Sequence, residues 1–446
     1  MKKLSILILS AFLIFTACEK ETTEPDNSNT TQNDDDNGGS SQDTTANVQE
    51  GDFLWVYDTG VPLSISSLLV MDENDNSYFV NKEENYNKYI YSINKNGQLN
   101  WKIKIDDNTS HDLMYVNGKI YYLSGPTSTT VEPRKLRCIN ASTGTIIWTK
   151  DVEYAYQMAY SNNTIYLLSA IDNYNSKIFS INPSTGTINW YSNLNGVTDV
   201  SLRTNGNHLC ITAETYHTTE NQEDKYYNAV FMYSDNGSGM TKDWEWLTPD
   251  STGDRYIPYS IFDGNGNVYY ADFTGSSTKV RCFDEASGNV KWVTPVSSVS
   301  SFRSNIYCVN NKVYITYYDH HWTDWVNTNS IAVLNATDGT IISQNDGLLG
   351  EEMPTDVYIT GDNNFIDYKY ENGYNIRIHS ETGTEIKKYT VDYISCHDIK
   401  ITSEGNIVVL SDDNGKLYCI KSNMVQPTGN DWAYYDGNAA NTNGIN

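Results

Sequence analysis

The chain has 446 residues, and its 56 acidic against 30 basic side chains give a formal net charge of −26. Residues 1–17 contribute +2 and residues 19–50 contribute −8, so −20 falls on residues 51–446. So acidic a surface argues against nucleic acid or phosphate-rich surfaces as partners and leaves basic proteins, cations and neutral sugars open.

From the start of the chain, Lys2 and Lys3 precede an apolar run at 4–15 that ends in Thr16-Ala17. A basic start, a short apolar stretch and small residues form a secretory signal over residues 1–17. The run is too short for a stable membrane-spanning helix. Cysteine directly after Thr-Ala resembles the end of a bacterial lipoprotein signal, which implies that Cys18 becomes an acylated first residue. Several acyl chains on one cysteine would hold the protein to a membrane firmly, where one chain binds only marginally. Residues 18–50 then form an acidic tether, rich in Thr, Asn, Asp, Ser and Gln, with the run Asp34-Asp35-Asp36. Such a segment has too little apolar surface to fold and is expected to be disordered. Glu19, Glu21 and Glu24 resemble the surface-export signals of Bacteroidetes lipoproteins, so both the periplasmic face and the cell surface of the outer membrane stay open.

Residues 51–446 are repetitive. RCINASTGTIIW (137–148), SINPSTGTINW (180–190) and RCFDEASGNVKW (281–292) share a glycine turn followed by tryptophan, and SINKNGQLNW (92–101) is a variant. AVLNATDGTIIS (332–343) and RIHSETGTEIKK (377–388) keep the glycine and lose the tryptophan, while FMYSDNGSGM (231–240) keeps the turn, with Trp244 and Trp246 arriving late. The glycines Gly97, Gly144, Gly186, Gly237, Gly288, Gly339 and Gly383 are spaced by 47, 42, 51, 51, 51 and 44 residues. Segments such as NGKIYYLS (117–124), GNVYYAD (266–272), NKVYITYY (311–318) and GNIVVLS (405–411) precede these turns and read as hairpin strands. The expected fold is therefore all-β: an eight-bladed β-propeller of four-stranded antiparallel blades (strands A to D, innermost to outermost) over residues 51–446. FLWVYDTG (53–60) reads as a strand D with no strand C before it, and the eighth unit, ending at LYCIKS (417–422), has no strand D of its own. Pairing the two closes the ring and removes two sheet edges. The tail at 431–444 is expected near that seam.

The turn NASTGTIIW is similar to the repeat of the pyrroloquinoline-quinone (PQQ)-like propellers, and the resemblance covers essentially all of 51–446. It implies that Trp101, Trp148, Trp190 and Trp292 each dock against the turn of the next blade, a structural role. One branch of the family comprises quinoprotein dehydrogenases holding PQQ and calcium. The other comprises non-enzymatic lipoproteins typified by the propeller subunit (BamB) of the outer-membrane barrel-assembly machine. The dehydrogenases carry an adjacent cysteine pair at the cofactor, and no two cysteines are adjacent here. With the signal and the eight units, this implies a BamB-like, non-enzymatic scaffold at the outer membrane, probed by protein partners, with no cofactor. A surface glycan-binding lipoprotein is the alternative reading and a PQQ-dependent oxidoreductase the third.

In such a meander the tight A–B and C–D turns lie at one end of the ring and the longer B–C and D–A loops at the other. Binding residues concentrate on long loops held by a rigid scaffold. The candidate face is therefore Tyr154, Tyr156, Tyr216, Tyr226, Tyr227, Tyr256, His320, His321, Trp322, Trp325 and Tyr374. These are protein anchors or sugar-stacking platforms, unless they only pack loops onto blades in a chain that contains 35 tyrosines. His320-His321 lacks a third ligand at metal spacing, so no metal is expected there. Asp112, Asp199, Asp356 and Asp398 precede apolar residues in the innermost strands and are candidates for the channel mouth, either around a cation or hydrogen-bonded to neighbouring strand ends. Cys138, Cys282 and Cys419 share one place in three blades, too far apart to pair, and read as buried thiols. No hydrolase or phosphate-loop signature occurs.

Overall fold

The computed structural model describes residues 48–445 apart from 62–68, 83–86, 106–109, 125–132, 173–174, 221–222, 249–258, 273–276, 298–300, 322–325, 351–356, 371–372, 392–395, 412–414 and 429–443. The expected signal, Cys18 and nearly all of the tether lie outside the described residues. Strands are grouped into eight sheets, each built on a four-stranded antiparallel blade; one of them carries a fifth, parallel strand. In chain order blades 1 to 7 span 70–105, 110–152, 155–195, 197–247, 260–297, 301–350 and 358–391. Blade 8 takes three strands from 396–420 and its outermost from Phe53–Asp58, which pairs antiparallel with Lys416–Ile420. The ring closes as the lone first strand predicts.

The Gly-Trp repeat follows from the chemistry of one turn. Asn140 opens the turn of blade 2: its side-chain oxygen accepts from Ser142 N (2.9 Å) and Thr143 N (3.1 Å), and its carbonyl accepts from Gly144 N at 2.9 Å. The chain reverses only if Gly144 turns left-handed (φ +70°), and Gly186, Gly288 and Gly339 repeat the geometry at +71°, +70° and +73°. A one-residue shift follows in each hairpin, as between Cys138 and Ile139. The shift aims the residue four after the glycine sideways, at the next blade. A Cβ on Gly144 would sit 2.8 Å from Trp101, on Gly186 2.7 Å from Trp148 and on Gly339 2.5 Å from Trp292. Each indole N–H then donates to a carbonyl in the same turn: Trp101 to Ala141 O (2.7 Å), Trp148 to Pro183 O (3.2 Å) and Trp292 to Ala336 O (3.1 Å). Glycine and tryptophan are thus two halves of one interblade joint.

Two further tryptophans belong to this set. Trp55 donates to Lys95 O (2.8 Å) over Gly97, and Trp244 donates to Glu285 O (2.8 Å) over Gly288. Trp190 docks differently. The turn of blade 4 presents the Asp235 carboxylate, which accepts from Trp190 Nε1 (3.0 Å) and Tyr166 OH (2.8 Å), and Gly237 has no neighbour where its Cβ would stand. Where tryptophan is lost in blade 6, Ser343 still donates to the Glu381 carbonyl, and Asn345 fills the space above Gly383. In blade 7, Lys387 and Tyr389 reach Glu50. Gly51 (φ +95°) lies 3.2 Å from Tyr389 by its would-be Cβ, and the hydrogen bonds Gly51 N to Lys421 O and Lys421 N to Asp52 O span the gap between chain segments. The seam therefore rebuilds a docking turn from two separate pieces of chain.

Of the tail expected at the seam, residues 429–443 lie outside the described residues, and its described end is elsewhere. Gly444–Ile445 adds to the innermost strand of blade 4, parallel to Thr204 and Asn205, four blades away. Val197–Asn205, nine residues long like the innermost strand Ser301–Val309 of blade 6, offers an open edge, and an unpaired strand edge accepts further chain.

Candidate binding face

The two ends of the ring differ as expected, but the longest B–C connections are strands rather than loops. In blade 4, His208–Glu220 and Glu223–Asp235 each run 13 residues and stay paired to Glu220↔Glu223. In blade 6, Lys312–His321 and Val326–Asn335 run ten residues each, paired to His321↔Val326. The alternating Thr, Tyr and His residues of these segments suit a pleated ladder better than irregular chain, because β-branched and aromatic side chains pack across strands. Two hairpin arms therefore stand on the end of the ring opposite the tight turns.

Among the predicted residues, Tyr154 is exposed in the connection between blades 2 and 3 and holds a left-handed backbone (φ +43°), rare for an aromatic residue. Its neighbours are clamped: Ser169 Oγ donates to Glu153 O, Arg134 donates to Ala155 O at 2.5 Å, and Lys177 pairs with Glu153 at 2.9 Å. Tyr156 is half-buried and donates to Val200 O (3.5 Å). Tyr216 meets Phe231 edge-on at 5.3 Å and pairs across the arm with Tyr227. These rings pack loops onto blades. Tyr374 stacks on Tyr368 (5.4 Å) and meets Tyr370 edge-on (4.9 Å), and Tyr370 itself is 56% exposed. Tyr368 and Tyr370 were not singled out from sequence, although their every-other-residue spacing into the B–C hairpin was a usable signal. Tyr226, His320 and His321 lie on the arms by backbone pairing. Tyr256, Trp322 and Trp325 lie outside the described residues.

The inner rim is tied by side chains. Asp112 of blade 2 accepts from Met158 N of blade 3 (2.8 Å), and Asp398 of blade 8 accepts from Leu69 N before blade 1 (2.8 Å). Between blades 3 and 4 the same bond is made by Gln157 to Leu202 N (2.8 Å). Asp112, Gln157 and Asp398 all follow a register shift in their strand, which turns the side chain toward its neighbour. In blade 4 this register is held by Ser201, which pairs with Thr212, so Asp199 stands two residues away. Asp356 lies outside the described residues. Where they are visible, these carboxylates act as strand-to-strand ties, and among the described residues no three His, Cys, Asp or Glu side chains are grouped to hold a metal.

The thiols of Cys138, Cys210, Cys282 and Cys419 are buried and free, and burial pushes them up to about 11, 12, 12 and 12. They are packing residues, unreactive at neutral pH. One titrating joint is exposed to ordinary pH changes. His208 Nδ1 meets the buried Glu285 at 2.5 Å, and the hydrogen bond it donates to that carboxylate raises the His208 pKa despite partial burial. A raised histidine pKa means that the contact's stabilisation is complete below about 6.5 and lost as pH rises through the folded value. The melting-temperature gap between wild type and His208→Gln is therefore expected to be wider at pH 5.5 than at pH 8.5. An equal gap at both would refute the assignment.

With this geometry in view, comparison with known proteins is informative. The family model described as outer membrane protein assembly factor BamB matches residues 86–215, from strand C of blade 1 into strand B of blade 4. BamB from Moraxella catarrhalis superposes with a TM-score of 0.52 at 11% identity, over 83% of this chain and 99% of that one. The chain is a β-propeller, and its residues 86–215 are similar to that assembly-factor family. A europium-containing methanol dehydrogenase superposes at 0.57 and 9% identity, over 83% of this chain and 93% of that one. The quinohemoprotein alcohol dehydrogenase ADHIIG from Pseudomonas putida HK5 does so at 0.54 and 9%, over 84% and 77%. At these identities the shared property is the fold, and fold does not fix function. A sequence search of curated proteins finds no match.

Proposed function

We propose that this propeller is a non-enzymatic protein-binding scaffold held at the outer membrane by an acylated Cys18, with its partner on the hairpin-arm end of the ring. The observation that carries this reading is the match of residues 86–215 to the outer-membrane assembly factor model. The division of labour between the ends supports it: the tight turns are consumed by interblade docking, while the arms and Tyr154, Tyr370 and Tyr374 remain at the other end. Rigid aromatic residues on a fixed scaffold are effective anchors for a protein partner. Propellers with PQQ bring a vicinal cysteine pair to the cofactor; no two cysteines here are adjacent in sequence, so the residues present do not fit that group.

The test is crosslinking from photoreactive residues placed at Tyr154 and Tyr370 in intact cells, followed by mass spectrometry. Crosslinks to barrel-assembly components are expected. Consistent failure at both positions, with the protein folded and membrane-bound, would sink the scaffold reading. The exposed aromatic residues also motivate a surface glycan-binding reading, which is distinguished by protease shaving of intact cells together with retention on polysaccharide affinity gels that falls on Trp322→Ala and Trp325→Ala.

A further inference from the structure

A cavity of about 340 Å³ lies at the seam between blades 8 and 1, lined by Leu54, Trp55, Lys95, Asn96, Glu404 and Cys419, with Asp75, Thr402 and Asn406 completing its walls. Across each blade a row of paired residues from strands B, C and D faces the next blade. In blades 1, 2, 3 and 5 the strand B member is tyrosine, with a tryptophan in strand D: Tyr78, Tyr121, Tyr166 and Tyr269 pair into rows ending at Trp101, Trp148, Trp190 and Trp292. Each phenol lies 5.8–6.2 Å from its tryptophan. Tyr121 and Tyr269 also reach carbonyls of the next blade's turn, Pro183 O (3.0 Å) and Ala336 O (3.2 Å). In blade 8 the row reads Val408, Cys419 and Trp55. The indole is kept and the phenol is missing, as in blade 4, whose row is Cys210, Met232 and Trp244 with the longer methionine at its centre; the seam cavity stands at the blade 8 junction.

We propose that this seam cavity is a binding site for a small neutral polyol of monosaccharide size. The volume is at the lower end of the range for small-molecule sites. Trp55 is a pre-set aromatic wall, fixed by Gly97 and by its bond to Lys95 O, and aromatic rings suit the apolar faces of sugars. Around it stand alternating donors and acceptors: the Asn96 and Asn406 amides, the Thr402 hydroxyl, and the Lys95 and Glu404 charges 3.7 Å apart, which largely offset each other. Asp75 is engaged by Ser403 N (2.8 Å) and Ser403 Oγ (2.6 Å). With Lys95 paired to Glu404, the Asp75 carboxylate keeps the lining net negative and disfavours an anion, while hydroxyl groups find both donors and acceptors. The site is independent of the scaffold reading, since it lies at the tight-turn end.

The test is titration of the folded propeller with glucose, galactose, mannose and N-acetylglucosamine, followed by heteronuclear NMR or calorimetry. Saturable binding of at least one sugar is expected, weakened roughly tenfold or more in Asn96→Ala and Glu404→Gln, whose exposed side chains carry no core contact. Val408→Tyr restores the residue used in five other blades, Tyr314 of blade 6 included, and is expected to fold and to abolish binding. No saturable binding to any of the four sugars, or binding unchanged in both Asn96→Ala and Glu404→Gln, overturns the proposal.

Discussion

Gly186→Ala is expected to destabilise the propeller by roughly 2–5 kcal/mol, while Gly118→Ala costs about 1 kcal/mol. The two glycines have nearly the same backbone, φ +71° and +75°, so the conformational penalty of a side chain is shared. They differ in what the added methyl meets. At Gly118 nothing lies within 4 Å, whereas at Gly186 the methyl would stand 2.7 Å from Trp148 Cε3 and 2.8 Å from Cδ2. Trp148 cannot retreat cheaply, because its N–H is committed to Pro183 O and its ring is packed beside Tyr121 at 6.0 Å. Displacing it opens the joint between blades 2 and 3. The decisive measurement is a double-mutant cycle of unfolding midpoints. In a Trp148→Ala background, itself expected to cost about 3 kcal/mol, Gly186→Ala should cost no more than Gly118→Ala. Strict additivity would show that the glycine is required only for its turn.

How much of this was legible in the sequence depends on which residues carried the information. The blades were legible because glycine and tryptophan recur four residues apart, and that spacing is the joint itself. Trp55 satisfied the same rule relative to Gly51 and was passed over because Gly51 belongs to no recognisable turn; its turn is assembled from Lys421 and Asp52 across the seam. Trp244 was obscured because Met240 stands four residues before it, where the other turns have glycine. In sequence the arms read as loops because their turn residues, length and charge resemble irregular chain, and only cross-strand pairing distinguishes them. At the rim, sequence picked out aspartates by type. The tie depends instead on register: Gln157 performs it without being acidic, and Asp199 misses the position by two residues. A missing side chain is harder still to read, and Val408 becomes informative only once it is aligned with five tyrosines by strand pairing.

Removing residues 48–58 is expected to abolish cooperative folding, whereas removing residues 19–47 leaves the melting transition of the propeller unchanged. The shorter deletion takes the outermost strand from blade 8 and exposes the Lys416–Ile420 edge, which now pairs with Phe53–Asp58 over five residue pairs. It also takes Trp55 from Gly97, and Tyr57 from Tyr91 at 6.2 Å, so that the core cluster shared by blades 8 and 1 loses its outer wall. Glu50 and Gly51 go with it, freeing Tyr389 and Lys387 of blade 7. Two of the eight joints are therefore lost together, on either side of one blade, and an edge capable of pairing with another molecule is uncovered. Trp55→Ala, which breaks one of these joints and keeps the strand, is expected to cost about 3 kcal/mol and to leave a folded ring. Circular dichroism melts and size-exclusion profiles of the three variants separate the possibilities. A 48–58 deletion that remains monomeric and melts like the intact chain would mean that the ring is held by its inner-rim ties, such as Asp398 to Leu69 N, and does not need its outer seam.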